Sequence, residues 1–300
     1  MTTTTKLRGM LVALVTPFTP DASEVDYEAL TTHINNLIEA GVHGLVPNGS
    51  TGEFTALTFD ERLAVVEACV KAADGRVPVI AGTGALTTKE TLEYSKHAAE
   101  VGAAGVMIVP PFYDSVNVDE LRGLLQEVHE VSGLPIMYYN IPSASGLTLT
   151  AQELADLSEV PGVEYIKDTS GNADALTELL VKHSDRITTF NGWDTLTFVG
   201  IASGAKGSVW GAINIFPELA VELWNAIAER KDLDKGRAIW AKLWPIVDYI
   251  DNFNYAAGIK AGMNLVGRPA GPVRAPFKPL SDNDLKPLAE LLEQAGLPVV

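Results

Sequence analysis

One lysine, Lys167, lies where an amine could act as a nucleophile. It follows the apolar run Val163-Glu164-Tyr165-Ile166, which comes after Pro161-Gly162 and is closed by the turn residues Ser170-Gly171. This pattern predicts a short buried strand with the lysine at its polar end. Burial disfavours the ammonium form and leaves more of the free amine, which attack on a carbonyl carbon requires. The alternative is a structural lysine that extends to solvent or pairs with a neighbouring carboxylate.

Other polar residues end or follow further apolar runs. Tyr139 ends such a run, and a phenol beside a reactive lysine could move protons to and from a carbinolamine. Because successive strand residues face opposite ways, only one of Tyr138 and Tyr139 can face inward. The turn Gly49-Ser50-Thr51-Gly52-Glu53 could offer backbone N–H groups and two hydroxyls to a carboxylate. Three more strand ends carry polar groups: Thr16, Thr83 and residues 191–194.

Eight short apolar runs, which alternate with helix-like segments, must position these residues. The runs cover residues 10–18, 44–48, 78–84, 105–112, 135–142, 163–169, 187–193 and 205–211. Continuous apolar runs of this kind are typical of parallel strands that are buried on both faces. They recur at intervals of roughly 30 residues, the length of a βα unit. Helix starts between them show capping patterns, as in Thr58 with Glu61, Thr87 with Glu90, Asn117 with Glu120 and Thr150 with Glu153.

Eight βα units predict the fold class α/β and a closed (β/α)8 TIM barrel, with an open doubly wound sheet as the alternative. After Phe216 the pattern becomes helical. We therefore expect a barrel over residues 1–230 and a C-terminal helical extension over residues 231–300, packed on the barrel as one structural unit. A barrel collects the C-terminal ends of its strands at one rim, so the polar strand ends should share one site.

Composition restricts the partners and the compartment. The chain has 300 residues and a formal net charge of −16, which argues against nucleic acid or an anionic membrane as a partner. A single cysteine, Cys69, excludes an internal disulfide framework and suits a reducing cytoplasm. Residues 1–6 lack the apolar segment of a signal peptide, and no run is long enough to span a membrane. We expect a cytoplasmic protein.

A metal-dependent mechanism finds little support in the histidines. His33, His97, His129 and His183 lie in predicted helices, and His43 precedes its strand, at the opposite end of the barrel from the site. A metal-assisted aldolase needs clustered histidines or carboxylates. We therefore expect no metal, and the family resemblance described below implies no organic cofactor either.

Taken in order, these motifs carry a family resemblance. The chain from about Gly9 to Leu280 resembles the dihydrodipicolinate synthase and N-acetylneuraminate lyase family of class I, Schiff-base-forming aldolases. The motifs that carry the resemblance are the 49–53 turn, Tyr139-Asn140-Ile141-Pro142 with Gly146, Ile166-Lys167-Asp168-Thr169, Gly267-Arg268-Pro269 and Gly271-Pro272-Val273-Arg274.

The resemblance implies a role for each motif. Lys167 matches the lysine that forms a Schiff base with a 2-keto acid, usually pyruvate, and Tyr139 matches the proton-transferring tyrosine. Ser50 and Thr51 match the pair that binds the keto-acid carboxylate. Tyr113 resembles a tyrosine that a neighbouring subunit contributes, and the family implies a homotetramer built as a dimer of dimers. The remaining expected substrate-binding residues are Thr169, Gly192, Asp194 and Val209.

Specificity positions separate the branches of this family. Dihydrodipicolinate synthases usually carry an arginine two residues after the proline of the Tyr-Asn-x-Pro motif, and Ala144 stands there in this chain. The bidentate clamp for a second carboxylate is therefore missing. Lys167-Asp168-Thr169 resembles 2-keto-3-deoxy sugar-acid aldolases and dehydratases. Asp194 matches an aspartate of sialic acid lyases, but Thr195 and Gly211 replace their usual glutamate and serine.

The sequence therefore predicts a lyase that forms a Schiff base with a 2-keto acid. We expect aldol cleavage or dehydration of a 2-keto-3-deoxy sugar acid. The alternatives are a 4-hydroxy-tetrahydrodipicolinate synthase with an altered carboxylate clamp, an N-acetylneuraminate lyase-like activity, and a non-catalytic sensor of 2-keto acids.

Overall fold

A parallel eight-stranded sheet forms the centre of the computed structural model, which describes residues 6–300. The strands are β1 Gly9–Ala13, β2 Gly44–Val46, β3 Ile80–Gly82, β4 Gly105–Ile108, β5 Ile136–Asn140, β6 Val163–Asp168, β7 Thr188–Asn191 and β8 Gly207–Trp210. Their order is β2-β1-β8-β7-β6-β5-β4-β3. A parallel bridge between Leu45 and Val79 brings the two ends of this order together. The predicted (β/α)8 barrel is confirmed, and the open sheet is wrong.

Each observed strand lies at its predicted position but is mostly shorter at its C-terminal end. The first predicted strand, residues 10–18, ends in the structure at Ala13. Leu14 still donates a backbone hydrogen bond to Val46, but the hydroxyl of Thr16 donates to the carbonyl of Gly52, a loop residue. The backbone beyond the strand ends turns out of the ladder and forms the loops of the barrel rim.

Helices connect the strands and continue beyond the last one. They are α1 Tyr27–Glu39, α2 Phe59–Ala73, α3 Thr88–Glu100, α4 Val118–Ser132, α5 Pro142–Ser145, α6 Ala151–Asp156, α7 Ala173–Lys182, α8 Thr197–Ala202, α9 Pro217–Trp224, α10 Leu233–Ile250, α11 Tyr255–Leu265 and α12 Asp282–Gln294. Full capping boxes begin α2, α4 and α6. At α3, Thr87 accepts a hydrogen bond from the Glu90 N–H group, as its spacing predicts.

Two apolar layers fill the molecule. Side chains that face into the barrel form one cluster, which includes Met137, Tyr139 and Phe190. The alternate strand residues pack outward against the helices, as Ile136 and Tyr138 do. The alternation along β5 therefore turns Tyr139 inward and Tyr138 outward, which answers the question that the sequence left open.

The last three helices, α10 to α12, form the C-terminal region. The N-terminal end of α11 lies at the barrel rim, because Tyr255, its first residue, contributes to the pocket described below. Cys69 is fully buried within α2, in agreement with a packing role. Across residues 6–300, no helix combines the length and apolarity that a membrane crossing would need.

Candidate active site

A pocket of about 180 Å³ opens at the C-terminal ends of the strands. Eight of the nine residues that we predicted for the site line it: Ser50, Thr51, Tyr139, Lys167, Thr169, Gly192, Asp194 and Val209. They come from β5, β6, β8 and the loops that follow β2, β6 and β7. The barrel topology thus brings together residues that are up to 159 positions apart in the chain.

Lys167 is buried in the pocket without an acidic partner. Its side chain is 5% exposed, and its Nζ atom lies 3.8 Å from the ring centroid of Tyr139. The two residues are register partners on the neighbouring strands β5 and β6. Of the ion pairs within residues 6–300, none includes Lys167. A buried amine beside a phenol and free of a carboxylate is suited to nucleophilic attack.

Gly192 leaves the space that the lysine side chain occupies. A Cβ atom at this position would overlap Thr169 Oγ1 and would come within 2.8 Å of the Cγ and Cε atoms of Lys167. The hydroxyl of Thr169 is itself buried and has no hydrogen-bond partner in the described part of the chain. Since a buried hydroxyl without a partner is costly, Thr169 offers a binding group to a molecule in the pocket.

The Ser50–Thr51 turn forms the wall next to β1. Asn48 and Glu53 flank it, and both have a left-handed backbone, with φ angles of 56° and 55°. Gly52 packs closely against the end of β1, since a Cβ atom there would lie 2.9 Å from the Leu14 carbonyl oxygen. The turn therefore has a tightly specified shape, with Thr51 buried and Ser50 exposed at its tip.

Acidic groups also line the pocket, and Tyr255 links them to the Ser50–Thr51 turn, since a Cβ atom at Gly211 would lie 2.6 Å from the Tyr255 phenol oxygen and 3.0 Å from Thr51 Oγ1. Asp194 is 7% exposed and accepts a hydrogen bond of 2.6 Å from the phenol of Tyr255. Burial raises the pKa of the Asp194 carboxyl to about 7; the nearby Asp251 acts in the same direction, whereas the Tyr255 phenol and Lys167 oppose the shift. Asp251 lines the mouth of the pocket, where partial burial and Asp248 also raise its pKa. This region therefore favours neutral hydroxyl groups over anions.

Tyr255 and Asp251 are site residues that the sequence reasoning missed. Both belong to the C-terminal region, and neither lies in a strand-end motif. The ring of Tyr255 occupies the space beside Gly211, because a Cβ atom at 211 would lie 2.6 Å from the phenol oxygen. A polar cluster just before a helix, residues 251–254, is the only sequence signal for this part of the pocket. Four further lining residues were not among the predicted site residues either: Ala13, Ile141, Trp193 and Gly211.

Tyr113 is the predicted site residue that the single chain does not bring to the pocket. It lies in the loop after β4 and is 87% exposed. Three other polar strand-end residues also point elsewhere. Thr16 and Thr83 bond to Gly52 and Ser95, and Asn191 donates to Trp193, Thr197 and Ser208 within the β7–β8 region.

Asp168 fixes the strands that carry the lysine and the tyrosine. Its Oδ1 atom accepts a hydrogen bond of 2.7 Å from the amide of Asn140. The hydroxyl of Ser170 donates to its other oxygen over 3.1 Å. Asn140 follows Tyr139, and Asp168 follows Lys167, so this bond joins β5 to β6 next to Lys167 and Tyr139. Asp168 thus helps to position the site from outside the pocket.

Lys167 is the one basic residue that lines the pocket within residues 6–300. Ala144, at the position of the missing arginine, is exposed in α5. Arg274 is engaged elsewhere, because its guanidinium forms a bidentate pair with Glu61 at 2.7 and 2.8 Å. In the same described part of the chain, no three histidine, cysteine or acidic side chains are grouped as metal ligands would be.

Comparison with known proteins matches nearly the whole chain. Residues 6–295 match the model of the dihydrodipicolinate synthetase family. A 4-hydroxy-tetrahydrodipicolinate synthase from Sorangium cellulosum is 38% identical over 292 residues, which are 96% of each chain. An uncharacterized DapA-like lyase from Halobacterium salinarum is 36% identical over 97% of this chain and 95% of its own length.

The solved structures that resemble this chain include one with bound pyruvate. YagE, a prophage protein of the dihydrodipicolinic acid synthase family from Escherichia coli K12, was crystallised in complex with pyruvate. It is 30% identical to this chain and superimposes with a TM-score of 0.92, over 98% of this chain and 100% of its own.

Proposed function

The chain belongs to the dihydrodipicolinate synthetase family of lyases, and from that premise we propose that it cleaves or dehydrates a 2-keto-3-deoxy sugar acid through a Schiff base on Lys167. The observation that carries this proposal is the composition of the pocket. The pocket contains a buried lysine that forms no ion pair, and beside it the hydrogen-bonded pair Asp194–Tyr255, with no second cation in the lining.

The first steps use Lys167 and its neighbours. The Nζ lone pair attacks the C2 ketone, and the carbinolamine that forms loses water to give a protonated iminium. Tyr139, whose ring lies 3.8 Å from Nζ, is the group that gives and takes protons in these steps. Ser50 and Thr51 hold the substrate carboxylate with their hydroxyls and the N–H groups of their turn.

The iminium then accepts electrons from the bond that breaks. In aldol cleavage, the C4 hydroxyl loses its proton, the C3–C4 bond breaks, and its electron pair moves toward the iminium nitrogen to leave an enamine and an aldehyde. In dehydration, C3 loses a proton to form the enamine, which then expels the C4 hydroxyl as water once that group is protonated. Both routes use one iminium, and neither requires a metal or an organic cofactor.

The polar groups of the pocket support a hydroxylated substrate rather than a second carboxylate. The carboxyl groups of Asp194 and Asp251 would repel an anion, whereas Asp194 and the unpartnered hydroxyl of Thr169 can bond to sugar hydroxyls. Because Gly192 has no side chain, Lys167 and Thr169 can lie side by side against it in the pocket.

A second candidate is a 4-hydroxy-tetrahydrodipicolinate synthase, which the names of relatives at 32–38% identity favour. That reaction needs a cation for the carboxylate of a semialdehyde, and in this chain Ala144 and the engaged Arg274 offer none. An N-acetylneuraminate lyase-like activity has less support. A serine at position 211 would overlap Tyr255, which fills that part of the pocket.

The assembly belongs to the same proposal. We expect a cytoplasmic homotetramer in which Tyr113 reaches the pocket of a neighbouring subunit. Its side chain is 87% exposed and lies outside the pocket of its own chain, as such a role requires. The expected partner is a small 2-keto acid, and no nucleic acid or membrane is involved.

The test compares two reactions on one preparation. We expect kcat/KM for the best 2-keto-3-deoxy sugar acid to exceed that for the condensation of pyruvate with aspartate semialdehyde by at least about tenfold. The loss of one charge-assisted hydrogen bond costs about 1.5–3 kcal/mol. Because a tenfold change corresponds to about 1.4 kcal/mol, this loss accounts for the expected factor. A semialdehyde value equal to or above the best sugar-acid value would refute the proposed substrate class.

Trapping tests the covalent step separately. Pyruvate with borohydride should add a reduced pyruvyl group to Lys167. Labelling of Lys206 or Lys260 instead, or unchanged labelling of the Lys167→Ala variant, would contradict the assignment of the nucleophile.

A further inference from the structure

The turn that carries Ser50 and Thr51 ends in a buried charge. Glu53 is 2% exposed, and its backbone is left-handed, a conformation that is costly for a residue with a Cβ atom. Asn48, at the other end of the turn, is also left-handed. A turn of this kind persists only where the surrounding structure holds it.

Lys260 supplies the opposite charge from α11. Its ammonium group lies 2.7 Å from Glu53 Oε1, and both side chains are almost fully buried. The same ammonium group donates a hydrogen bond of 2.8 Å to the carbonyl of Pro272 and lies 4.2 Å from the ring centroid of Phe18. In the low-dielectric interior this attraction is strong, and the loss of either partner leaves an uncompensated charge.

The second oxygen of Glu53 extends the contact to the segment after α11. Its Oε2 atom accepts a hydrogen bond of 2.9 Å from the backbone N–H of Arg274. The guanidinium of Arg274 is held in turn by Glu61, on α2, the helix that follows the turn. One carboxylate thus joins the turn, helix α11 and the 272–274 segment.

The same helix also contributes a residue to the pocket itself. Tyr255, five residues before Lys260 on α11, donates its hydrogen bond to Asp194. We propose that the Glu53–Lys260 ion pair is a positioning device, by which the C-terminal region holds the Ser50–Thr51 turn in its substrate-binding shape and in register with the Tyr255–Asp194 pair. The inference rests on the proposed function for the role of Ser50 and Thr51 in binding the substrate carboxylate.

The experiment measures pyruvate binding and folding stability together. The readouts are the pyruvate concentration that gives half-maximal borohydride trapping, kcat and KM with the best substrate, and the melting temperature. The variants are Glu53→Gln, Lys260→Met and the double variant, which removes both charges. Because a neutral pair of similar volume often replaces a buried ion pair at no cost in stability, the double variant should melt closer to wild type than Lys260→Met.

We expect the half-trapping concentration to rise by about tenfold or more in both Glu53→Gln and the double variant, equivalent to about 1.4 kcal/mol. KM should rise more than kcat falls, because Lys167 and Tyr139 lie on strands that the ion pair does not contact. The matched control is Glu61→Gln, which breaks the neighbouring pair with Arg274 and leaves Glu53 and Lys260 intact. It should lower the melting temperature and leave trapping unchanged.

Three outcomes would overturn the inference. If the double variant reaches half-maximal trapping at the same pyruvate concentration as wild type, the ion pair has only a structural role. An equal rise in Glu61→Gln would indicate general loosening of the region rather than positioning by Glu53. An absence of trapping in the wild type would overturn the proposed function, and the inference with it. If Lys260→Met alone does not fold, the other two variants still decide the question.

Discussion

The substitution Gly192→Ala tests whether the structure positions the reactive amine by leaving it space. Gly192 has no positive φ angle, so alanine is acceptable to the backbone and the added methyl group acts through contact alone. That methyl carbon would overlap Thr169 Oγ1 and would come within 2.8 Å of the Cγ and Cε atoms of Lys167. The side chain of Lys167 must therefore move.

The size of the effect follows from these distances. Carbon atoms in ordinary contact are about 3.5–4.0 Å apart, so the lysine must shift by about 0.7–1.2 Å. A displacement of about 1 Å from the attack geometry can cost on the order of 10²-fold in rate. We expect Schiff-base formation to slow by about that factor, together with a loss of about 1–3 kcal/mol in the free energy of unfolding from overpacking.

The assay follows pyruvate trapping by borohydride in time, with intact-protein mass as the readout, beside a denaturant melt. Gly236→Ala is the matched control: its added methyl carbon would lie 2.7 Å from Ile227 Cγ1, outside the pocket. It should cost similar stability and leave trapping unchanged. If Gly192→Ala traps pyruvate as fast as wild type, or if Gly236→Ala slows it equally, the steric reasoning about Lys167 is wrong.

The remaining predictions concern proton transfer, pH and metal. Tyr139→Phe should lower turnover by about 10²–10⁴-fold, the usual contribution of a positioned proton-transfer group, and a loss below about threefold would make Tyr139 a packing residue. Burial raises the pKa of the Asp194 carboxyl from 3.8 to about 7. Between about pH 4 and pH 7 the folded protein therefore keeps a proton that the unfolded chain has released. The free energy of unfolding falls as the pH rises through that range. In Asp194→Asn the melting temperature should fall less steeply as the pH rises, and Asp251→Asn is measured for comparison. If the melting temperatures of Asp194→Asn and wild type fall equally steeply with pH, the buried Asp194 carboxyl is not the cause of the fall. Activity should survive exhaustive chelation, since the iminium is the electron sink, and full loss that a divalent ion restores would overturn the Schiff-base mechanism.

Much of the fold could be predicted because its signals are local. Each buried parallel strand reads as a short apolar run, and the capping residues of α2, α4 and α6 lie next to the backbone groups that they bond. The lengths of the apolar runs overestimated the strands mainly at their C-terminal ends, and by one or two residues at some N-terminal ends. At the C-terminal ends the apolar pattern continues into the rim, as in residues 14–18, but the backbone leaves the ladder to form loops. Apolarity reports burial, and burial alone does not distinguish a strand from a packed loop.

The candidate site could likewise be predicted only in part. Lys167, Tyr139 and the Ser50–Thr51 turn could be named from the sequence, since residue type and strand-end position are both written in it and the barrel rule brings such ends together. The inward direction of Tyr139 needed the tertiary structure, because both faces of β5 are buried and the two adjacent tyrosines are therefore equivalent in the sequence.

Long-range packing decided the remainder. Asp194 bonds to Tyr255, which is 61 residues away, and Glu53 pairs with Lys260 across a still longer separation. No local spacing relates such partners, because the path of the C-terminal helices over the rim depends on the summed packing of many side chains. The sequence by itself therefore determined which side chains the barrel rim carries. Only the tertiary structure decided which charges are buried together there, since desolvation depends on all the atoms that surround a group.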